Sequence, residues 1–323
     1  MRDEVLHFPS GTNSLSVRVA GSGPLVILMH GWPELGLSWR HQILPLAAAG
    51  FTIAAPDMRG YGGSSKPTDP AAYDIDTMAD DMAAIADGLG HDRWISVGHD
   101  WGSPVAWRTA LRFPDRVAAV FSLSVPHSGR TPIPVTDTFD IVYPNRFYYI
   151  RHFQQVGAPE TELERDPRDA LTRISFSLSG DAPKDDWLAT RPIEGPLLDG
   201  LTPPPPGPLS FMTDDILDAY TNAFARGGFF GPISWYRNFP ADFEQLAAYG
   251  DNVIHQPSGF LCGDKEIVLA MIPGALDRQR TLLADMRMEM VLPGAGHWIQ
   301  QERPAQVTEA LLAFLEEVRP ALA

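Results

Sequence analysis

The chain has 323 residues, of which 44% are hydrophobic and 10% aromatic, and its formal net charge is −15 at pH 7. This composition supports a sizeable buried core and argues against a disordered chain. The negative charge disfavours nucleic acid and anionic membrane surfaces as partners. A single cysteine, Cys262, excludes an intrachain disulfide, and no apolar run has the length of a signal peptide or a membrane span. We therefore expect a cytoplasmic protein with no membrane insertion.

Strand-like and helical patterns alternate along the first part of the chain. An alternating stretch at residues 15–19 is typical of an exposed strand. Helical periodicity covers residues 78–89 and 105–113. Continuously apolar runs, which are expected of strands covered on both faces of a mainly parallel sheet, occupy residues 24–29, 51–55, 94–97 and 117–123. The alternation predicts an α/β fold with a doubly wound, mainly parallel sheet.

The pattern changes after about residue 128. Strand-like runs stop, prolines and aromatic residues accumulate, and residues 202–208 contain four consecutive prolines. The buried-strand pattern resumes at residue 257, and an amphipathic helix over residues 305–318 closes the chain. We predict two parts, a core formed by residues 1–128 and 248–323 and a mostly helical cap inserted at residues 129–247.

Asp100 stands where many hydrolases carry a nucleophilic serine. It lies between Gly98 and Gly102, with the Gly-x-nucleophile-x-Gly spacing of a strained turn from a strand into a helix. The glycines permit close packing around a residue in a strained conformation. A carboxylate at this position can displace a leaving group from a saturated carbon and form an ester with it. The pattern predicts a hydrolase of epoxides or alkyl halides, and it excludes a serine esterase because Ser96 and Ser103 are not at the turn.

A histidine and a second carboxylate follow in the order that this type of sheet requires. His297 comes just after a strand-like run, and the loop after Cys262 supplies both Asp264 and Glu266. Asp100 is ionised at neutral pH without a base, so His297 is free to activate the water that attacks the ester. The acid orients the imidazole and stabilises its cationic form.

Hydrolysis of an ester also needs an oxyanion hole. The backbone N–H groups of Trp32 and Trp101 are placed to supply it, one after the second apolar strand and the other next to Asp100.

These segments together resemble an epoxide hydrolase of the α/β-hydrolase superfamily, over essentially the whole chain. The segments that carry the resemblance are His30–Glu34, Asp57–Ser65, Gly98–Gly102 and Gly296–Trp298. The resemblance implies two cap tyrosines that hold the epoxide oxygen and protonate the leaving alkoxide. It points to Tyr149 rather than its neighbour Tyr148, and to Tyr236. It also points to Glu266 as the triad acid, where the family usually has aspartate, with Asp264 as the alternative.

The expected reactants are a small lipophilic epoxide and water. No spacing of histidine, cysteine or carboxylate residues indicates a metal, and no glycine-rich loop indicates a nucleotide, so no cofactor is expected. Candidates for the substrate lining are Trp101, Phe153 and Trp298, with cap residues near Phe229 and Phe230. The identity of the epoxide is left open, and so is the choice between a monomer and a homodimer.

Two other function classes share parts of this pattern. A haloalkane or haloacid dehalogenase has the same aspartate and histidine, but it needs donors for a departing halide. Trp32 stands where dehalogenases commonly carry asparagine, and the start of the cap, Ser124–His127, has no tryptophan. A non-catalytic protein that binds a small ligand could also keep this fold. Such a protein would tolerate the loss of catalytic residues, whereas all of them are present here.

Overall fold

The structure is a computed structural model, and it describes residues 3–183, 187 and 190–322. The strands of the described residues are β1 (Asp3–Ser10), β2 (Asn13–Gly21), β3 (Leu25–Met29), β4 (Thr52–Pro56), β5 (Trp94–His99), β6 (Val117–Leu123), β7 (Ser258–Gly263) and β8 (Met286–Leu292). The helices are α1 (Arg40–Ala48), α2 (Ile75–Gly88), α3 (Gly102–Arg112), α4 (Val135–Val142), α5 (Tyr149–Gln154), α6 (Ala158–Glu164), α7 (Pro167–Ser177), α8 (Asp214–Gly227), α9 (Phe230–Arg237), α10 (Phe239–Gln245), α11 (Ile267–Met271), α12 (Ala275–Leu282), α13 (Ile299–Glu302) and α14 (Pro304–Val318).

All eight strands belong to one sheet, in the order β1-β2-β4-β3-β5-β6-β7-β8. Strand β2 pairs antiparallel with both β1 and β4, and the strands from β4 across to β8 pair in parallel. Every residue of β3, β4, β5, β6 and β7 is buried, as the continuously apolar runs predict. The predicted doubly wound, mainly parallel α/β sheet is confirmed.

Each face of the sheet packs against helices. One hydrophobic cluster contains Ile43 of α1 and Phe314 of α14, and the other contains Met78 of α2 and Val105 of α3. Because the strands from β4 across to β8 are parallel, their carboxyl ends meet at one edge of the sheet, and ligands bind at that edge in open α/β sheets.

The segment between β6 and β7, residues 124–257, is called the helical insertion below. Helices α4 to α10 belong to it. Its described residues also form an isolated β-bridge between Leu209 and Met212. Hydrogen bonds tie the insertion to loops at the carboxyl edge of the sheet. The indole nitrogen of Trp235 donates to the carbonyl oxygen of Arg59 at 3.1 Å, and the backbone nitrogen of His297 donates to the carbonyl oxygen of Leu178 at 2.9 Å. The insertion consequently covers that edge.

Strand β1 has no counterpart among the predicted strands. It lies at the edge of the sheet, and most of its residues are exposed, so it lacks the buried apolar run that marks the central strands.

No helix in the described part of the chain is long and apolar enough to cross a membrane.

Candidate active site

Asp100 lies at the sharp turn between β5 and α3. Its φ angle is 50°, in the left-handed region that non-glycine residues rarely adopt. The turn brings backbone segments so close that side chains would not fit on either side. A Cβ on Gly98 would lie 2.0 Å from the carbonyl oxygen of Gly102, and a Cβ on Gly102 would lie 2.1 Å from that of Met29. Both glycines are therefore required for a turn that lifts the Asp100 carboxylate above the sheet.

The loop after β3 presents backbone N–H groups to this carboxylate. The nitrogen of Trp32 donates to Oδ1 of Asp100 at 2.6 Å. The backbone N–H of Trp101 also hydrogen-bonds to Asp100. His30 holds the loop, because its Nδ1 donates to the carbonyl oxygen of Gly31 and its Nε2 accepts from the backbone of Met58, both at 2.9 Å. Two backbone donors thus point to the Asp100 carboxylate, the arrangement that would hold an oxyanion.

His297 lies between two carboxylates. Its Nε2 is 3.3 Å from Oδ2 of Asp100, and its Nδ1 is 2.9 and 3.1 Å from the two carboxylate oxygens of Glu266. Burial alone would lower the pKa of His297, but the charges of Glu266 and Asp100 and the hydrogen bonds to them raise that pKa well above its usual value. This arrangement favours the protonated imidazole.

The pKa values of both carboxyl groups are shifted in the opposite direction. Burial would raise the pKa of Asp100, but the hydrogen bond and charge of His297 hold it below its usual value. Burial would likewise raise the pKa of Glu266, and His297 again lowers it. All three pKa shifts favour the same arrangement, a cation held between two anions.

The structure brings Glu266, and not Asp264, to His297. Glu266 is the N-cap residue just before α11, and its side chain accepts a hydrogen bond from the backbone nitrogen of Val268 at 3.0 Å, which holds its carboxylate beside the imidazole. Asp264 is exposed and accepts a hydrogen bond from the backbone nitrogen of Gly294 at 2.8 Å. Of the two alternatives, only Glu266 is in position to orient the histidine.

The rings of Tyr149 and Tyr236 contact each other edge to face, and both line the cavities that Asp100 lines. Tyr149 is the first residue of α5 and Tyr236 belongs to α9, and their ring centroids are 5.8 Å apart. Burial raises the pKa of each phenol, and the Asp100 carboxylate raises both further, so both keep their protons at neutral pH. Tyr148 instead packs its ring on Phe139, with centroids 4.2 Å apart.

Two cavities of unequal size meet at Asp100. The larger has a volume of about 230 Å³ and the smaller about 30 Å³. The smaller cavity is also lined by His297, Trp32 and Trp187. Residues that line both cavities are Asp100, Tyr149, Tyr236, Val268 and Met271. The carboxylate and the two phenols therefore stand where the two spaces join.

Several residues predicted to line the substrate site lie behind it. Trp101 does line the larger cavity, but the lining of neither cavity includes Phe153 or Trp298. Phe153 is fully buried against the rings of Trp32 and Tyr236, at centroid distances of 5.1 and 5.0 Å. The indole nitrogen of Trp298 donates to the carbonyl oxygen of Ser175 at 2.7 Å, which turns this side chain toward the insertion. Phe229 and Phe230 are also absent from both linings.

Sequence reasoning gave no role to a buried network that supports the site. Nε2 of His99 donates to the carbonyl oxygen of His297 at 2.7 Å, and its Nδ1 is 2.8 Å from Oε2 of Glu34. The carboxylate of Glu302 accepts from three backbone nitrogens, those of Gly180, Gly296 and Trp298, at 2.9 to 3.0 Å. The sequence signal for Glu34 was its place in the segment after His30. For Glu302 we find no sequence signal beyond a polar helix start.

Comparison with known proteins agrees with this geometry. A family model described as the alpha/beta hydrolase fold matches residues 24–304. Epoxide hydrolase A of Mycobacterium tuberculosis is 42% identical over 94% of this chain and 95% of its own length. The chain belongs to the epoxide hydrolases of the α/β-hydrolase fold.

Solved structures of other epoxide hydrolases share the same fold. An epoxide hydrolase from an endophytic Streptomyces superposes with a TM-score of 0.93 at 37% identity, covering 99% of this chain and 96% of that one. Epoxide Hydrolase A from Mycobacterium thermoresistibile gives a TM-score of 0.92 at 37% identity and covers 98% of each chain. The family that the sequence segments resemble is thereby confirmed.

Proposed function

We propose that this chain hydrolyses an epoxide to a vicinal diol through a covalent ester on Asp100. The observation that carries the proposal is the position of Asp100 on its strained turn, 3.3 Å from His297 and at the junction of two cavities also lined by Tyr149 and Tyr236. A carboxylate nucleophile, a water-activating histidine and phenolic donors are the groups that this reaction needs.

The first step is ring opening. Oδ2 of Asp100 attacks one oxirane carbon, a carbon–oxygen bond forms, and the bond from that carbon to the ring oxygen breaks. The ring oxygen takes a proton from Tyr149 or Tyr236, because an alkoxide leaves poorly unless a donor stabilises it. Asp100 loses its charge in this step, and one phenol becomes a phenolate.

Loss of that charge prepares the second step. The carboxylate of Asp100 is one cause of the raised pKa of His297, so this pKa falls when the ester forms. His297 then gives up its proton, which restores the phenol, and its neutral Nε2 becomes a base. The nucleophile itself thus switches the histidine from cation to base.

Hydrolysis follows at the ester carbon. His297 takes one proton from water, and the resulting hydroxide attacks Cγ of Asp100. The backbone nitrogens of Trp32 and Trp101 stabilise the oxyanion, and Glu266 stabilises the imidazolium. The bond from Cγ to Oδ2 then breaks, and the remaining water proton passes to the departing alkoxide. The diol leaves with Oδ2, and one oxygen of Asp100 is replaced from water in each turnover.

The two predicted parts of the chain would divide this work. The core of residues 1–128 and 248–323 supplies the nucleophile, histidine and acid, and the cap of residues 129–247 supplies both tyrosines. The substrate would react while enclosed between them, away from bulk water. Cys262 is buried and unpaired, which fits a reducing cytoplasmic compartment.

The proposal is tested by the intact mass of a His297→Gln variant incubated with epoxides and alkyl halides. Without its water activator the ester should accumulate on Asp100, and an adduct equal in mass to a whole epoxide is the expected result. A matched control, His297→Gln combined with Asp100→Asn, should form no adduct. An adduct that forms only with halides, and that lacks one hydrogen halide, would instead identify a dehalogenase. The absence of any adduct would count against a covalent enzyme.

A further inference from the structure

The larger cavity follows one face of α3. Trp101, Pro104, Arg108 and Leu111 all line it, and they are spaced three or four residues apart, as residues on one helical face are. At a rise of about 1.5 Å per residue, this face runs for about 15 Å away from the nucleophile. The cavity is therefore elongated, with Asp100 and the two tyrosines at one end.

Polar groups reappear in the wall farther along α3. Much of the lining is apolar, with residues such as Val135, Phe139 and Leu246. Beyond the nucleophile, its neighbour Trp101 and the tyrosines, the lining side chains with nitrogen or oxygen atoms are Trp107, Arg108, His127 and Ser128. From Asp100 to Arg108 the helix rises about 12 Å, which sets the distance between the two polar regions.

The indole N–H of Trp107 is a buried donor that lacks an acceptor. The side chain is 2% exposed, and its Nε1 has no hydrogen-bond partner within residues 3–183, 187 and 190–322. Buried donors in native proteins are nearly always paired, so an unpaired one in a cavity wall points to a ligand.

Arg108 supplies a second donor. Its terminal nitrogens hydrogen-bond to Asp76, to Gln245 and to the carbonyl oxygen of Asp242. None of these hydrogen bonds uses its Nε–H. Because Asp76 already pairs with the guanidinium, an anionic ligand would gain less there than a neutral acceptor would.

His127 supplies an acceptor beside these donors. Its Nε2 donates to the carbonyl oxygen of Asn252 at 2.8 Å, which leaves Nδ1 as the nitrogen with a lone pair. Burial lowers the pKa of His127 to about 4, so the ring is neutral at physiological pH. The ring centroids of His127 and Trp107 are 5.5 Å apart, so the two side chains are neighbours in the cavity wall.

We propose that Trp107, Arg108 and His127 form a subsite that binds a neutral hydroxyl group of the substrate, about 12 Å along α3 from the reacting carbon. A hydroxyl accepts from the indole or guanidinium N–H and donates to the imidazole. The inference rests on the proposed epoxide hydrolysis and specifies its substrate class, an otherwise apolar epoxide with a hydroxyl group at the far end of its chain.

The test compares two series of straight-chain terminal epoxides, one unsubstituted and one with a hydroxyl on the last carbon. At the chain length that spans the cavity, the hydroxylated compound should have about a three- to tenfold higher kcat/KM, from the gain of one or two hydrogen bonds. Methoxy and carboxylate analogues should show a smaller gain or none.

Two single-residue variants test which side chains cause the preference for the hydroxylated epoxide. Trp107→Phe removes the indole N–H, and Arg108→Lys removes the Nε–H while keeping a cation for Asp76. In each variant the ratio of kcat/KM for the hydroxylated epoxide to kcat/KM for the unsubstituted one should fall to about one, mainly through KM of the hydroxylated epoxide. Trp39→Phe is the matched control, because Trp39 also has a buried, unpaired indole nitrogen but lines neither cavity.

The possible results distinguish a failure of the subsite proposal from a failure of the proposed reaction. If the unsubstituted epoxides react but the hydroxyl gives no advantage at any chain length, the subsite proposal is wrong and the proposed reaction stands. The same holds if the preference survives in both cavity variants. If no epoxide reacts at all, the proposed function itself fails.

Discussion

A single change of charge on one residue connects the two halves of the proposed reaction. The Asp100 and Glu266 carboxylates on either side of His297 both favour its cationic form. In the proposed ester only Glu266 keeps its charge. The histidine therefore becomes a base only after the nucleophile has reacted. This order also protects the free protein, since a protonated imidazole does not activate water in the absence of substrate.

The paired tyrosines give a prediction at the same scale. Either phenol can protonate the alkoxide, so Tyr149→Phe and Tyr236→Phe should each retain part of the activity. The double variant should lose about a hundredfold to ten-thousandfold in kcat, the usual contribution of a general acid. Single-turnover kinetics of ring opening provides the measurement. Tyr143→Phe is the control, because this tyrosine of the insertion lines neither cavity. A double variant with normal ring opening would show that the proton comes from elsewhere.

At the scale of elements, the loop that carries His297 depends on the short helix after it. Glu302, at the end of α13, accepts hydrogen bonds from the backbones of Gly296 and Trp298 in that loop and of Gly180 in the helical insertion. One carboxylate thus connects the histidine loop, the core and the insertion.

We expect Glu302→Ala to lower the free energy of unfolding by about 1–3 kcal/mol, because it leaves buried N–H groups without acceptors. Glu302→Gln keeps one acceptor oxygen and should cost less. Urea denaturation measures both variants. Equal stability of the alanine variant and the unmodified protein would show that water replaces the carboxylate at no cost.

Elements whose pattern lies in the local sequence could be predicted, whereas contacts between distant segments could not. Strands β3 to β7 are apolar along their length, so they were evident in the sequence, and Asp100 was evident from its flanking glycines. The pairing of Glu266 rather than Asp264 with His297 depends on the start of α11, which local patterns do not fix. Phe153 was misplaced because an aromatic residue in a cap has the same sequence signal whether it lines a cavity or packs behind one.

At the scale of the whole molecule, a carboxyl group of the insertion caps a helix of the core. Oδ1 of Asp242 accepts from the backbone nitrogen of Ile75, the first residue of α2, at 2.9 Å, while Oδ2 is buried with no partner in the described ranges. Burial raises the pKa of Asp242 to about 8, and Asp74 and Asp76 raise it while Arg108 opposes them. The group is therefore mostly protonated at neutral pH in the folded protein.

This raised pKa makes stability depend on pH. Between about pH 4 and pH 8 the unfolded chain releases the Asp242 proton while the folded protein keeps it, so this group makes stability fall as pH rises. Asp242→Asn keeps an acceptor for Ile75 and cannot ionise, so its gain in Tm should be larger near pH 8 than near pH 5. Thermal unfolding at both pH values measures this gain. A difference that does not change with pH would refute the shifted pKa.

The unequal cavities at Asp100 also distinguish mirror images. A substrate with one long and one short substituent can place them in the larger and smaller cavity in only one way. When the ring oxygen must also point to the two phenols, three directions around the reacting centre are fixed. The two enantiomers of such an epoxide then present different carbons to the same carboxylate oxygen. We therefore expect one enantiomer of a racemic mixture to be consumed first, with the shape of the site setting the configuration of the diol.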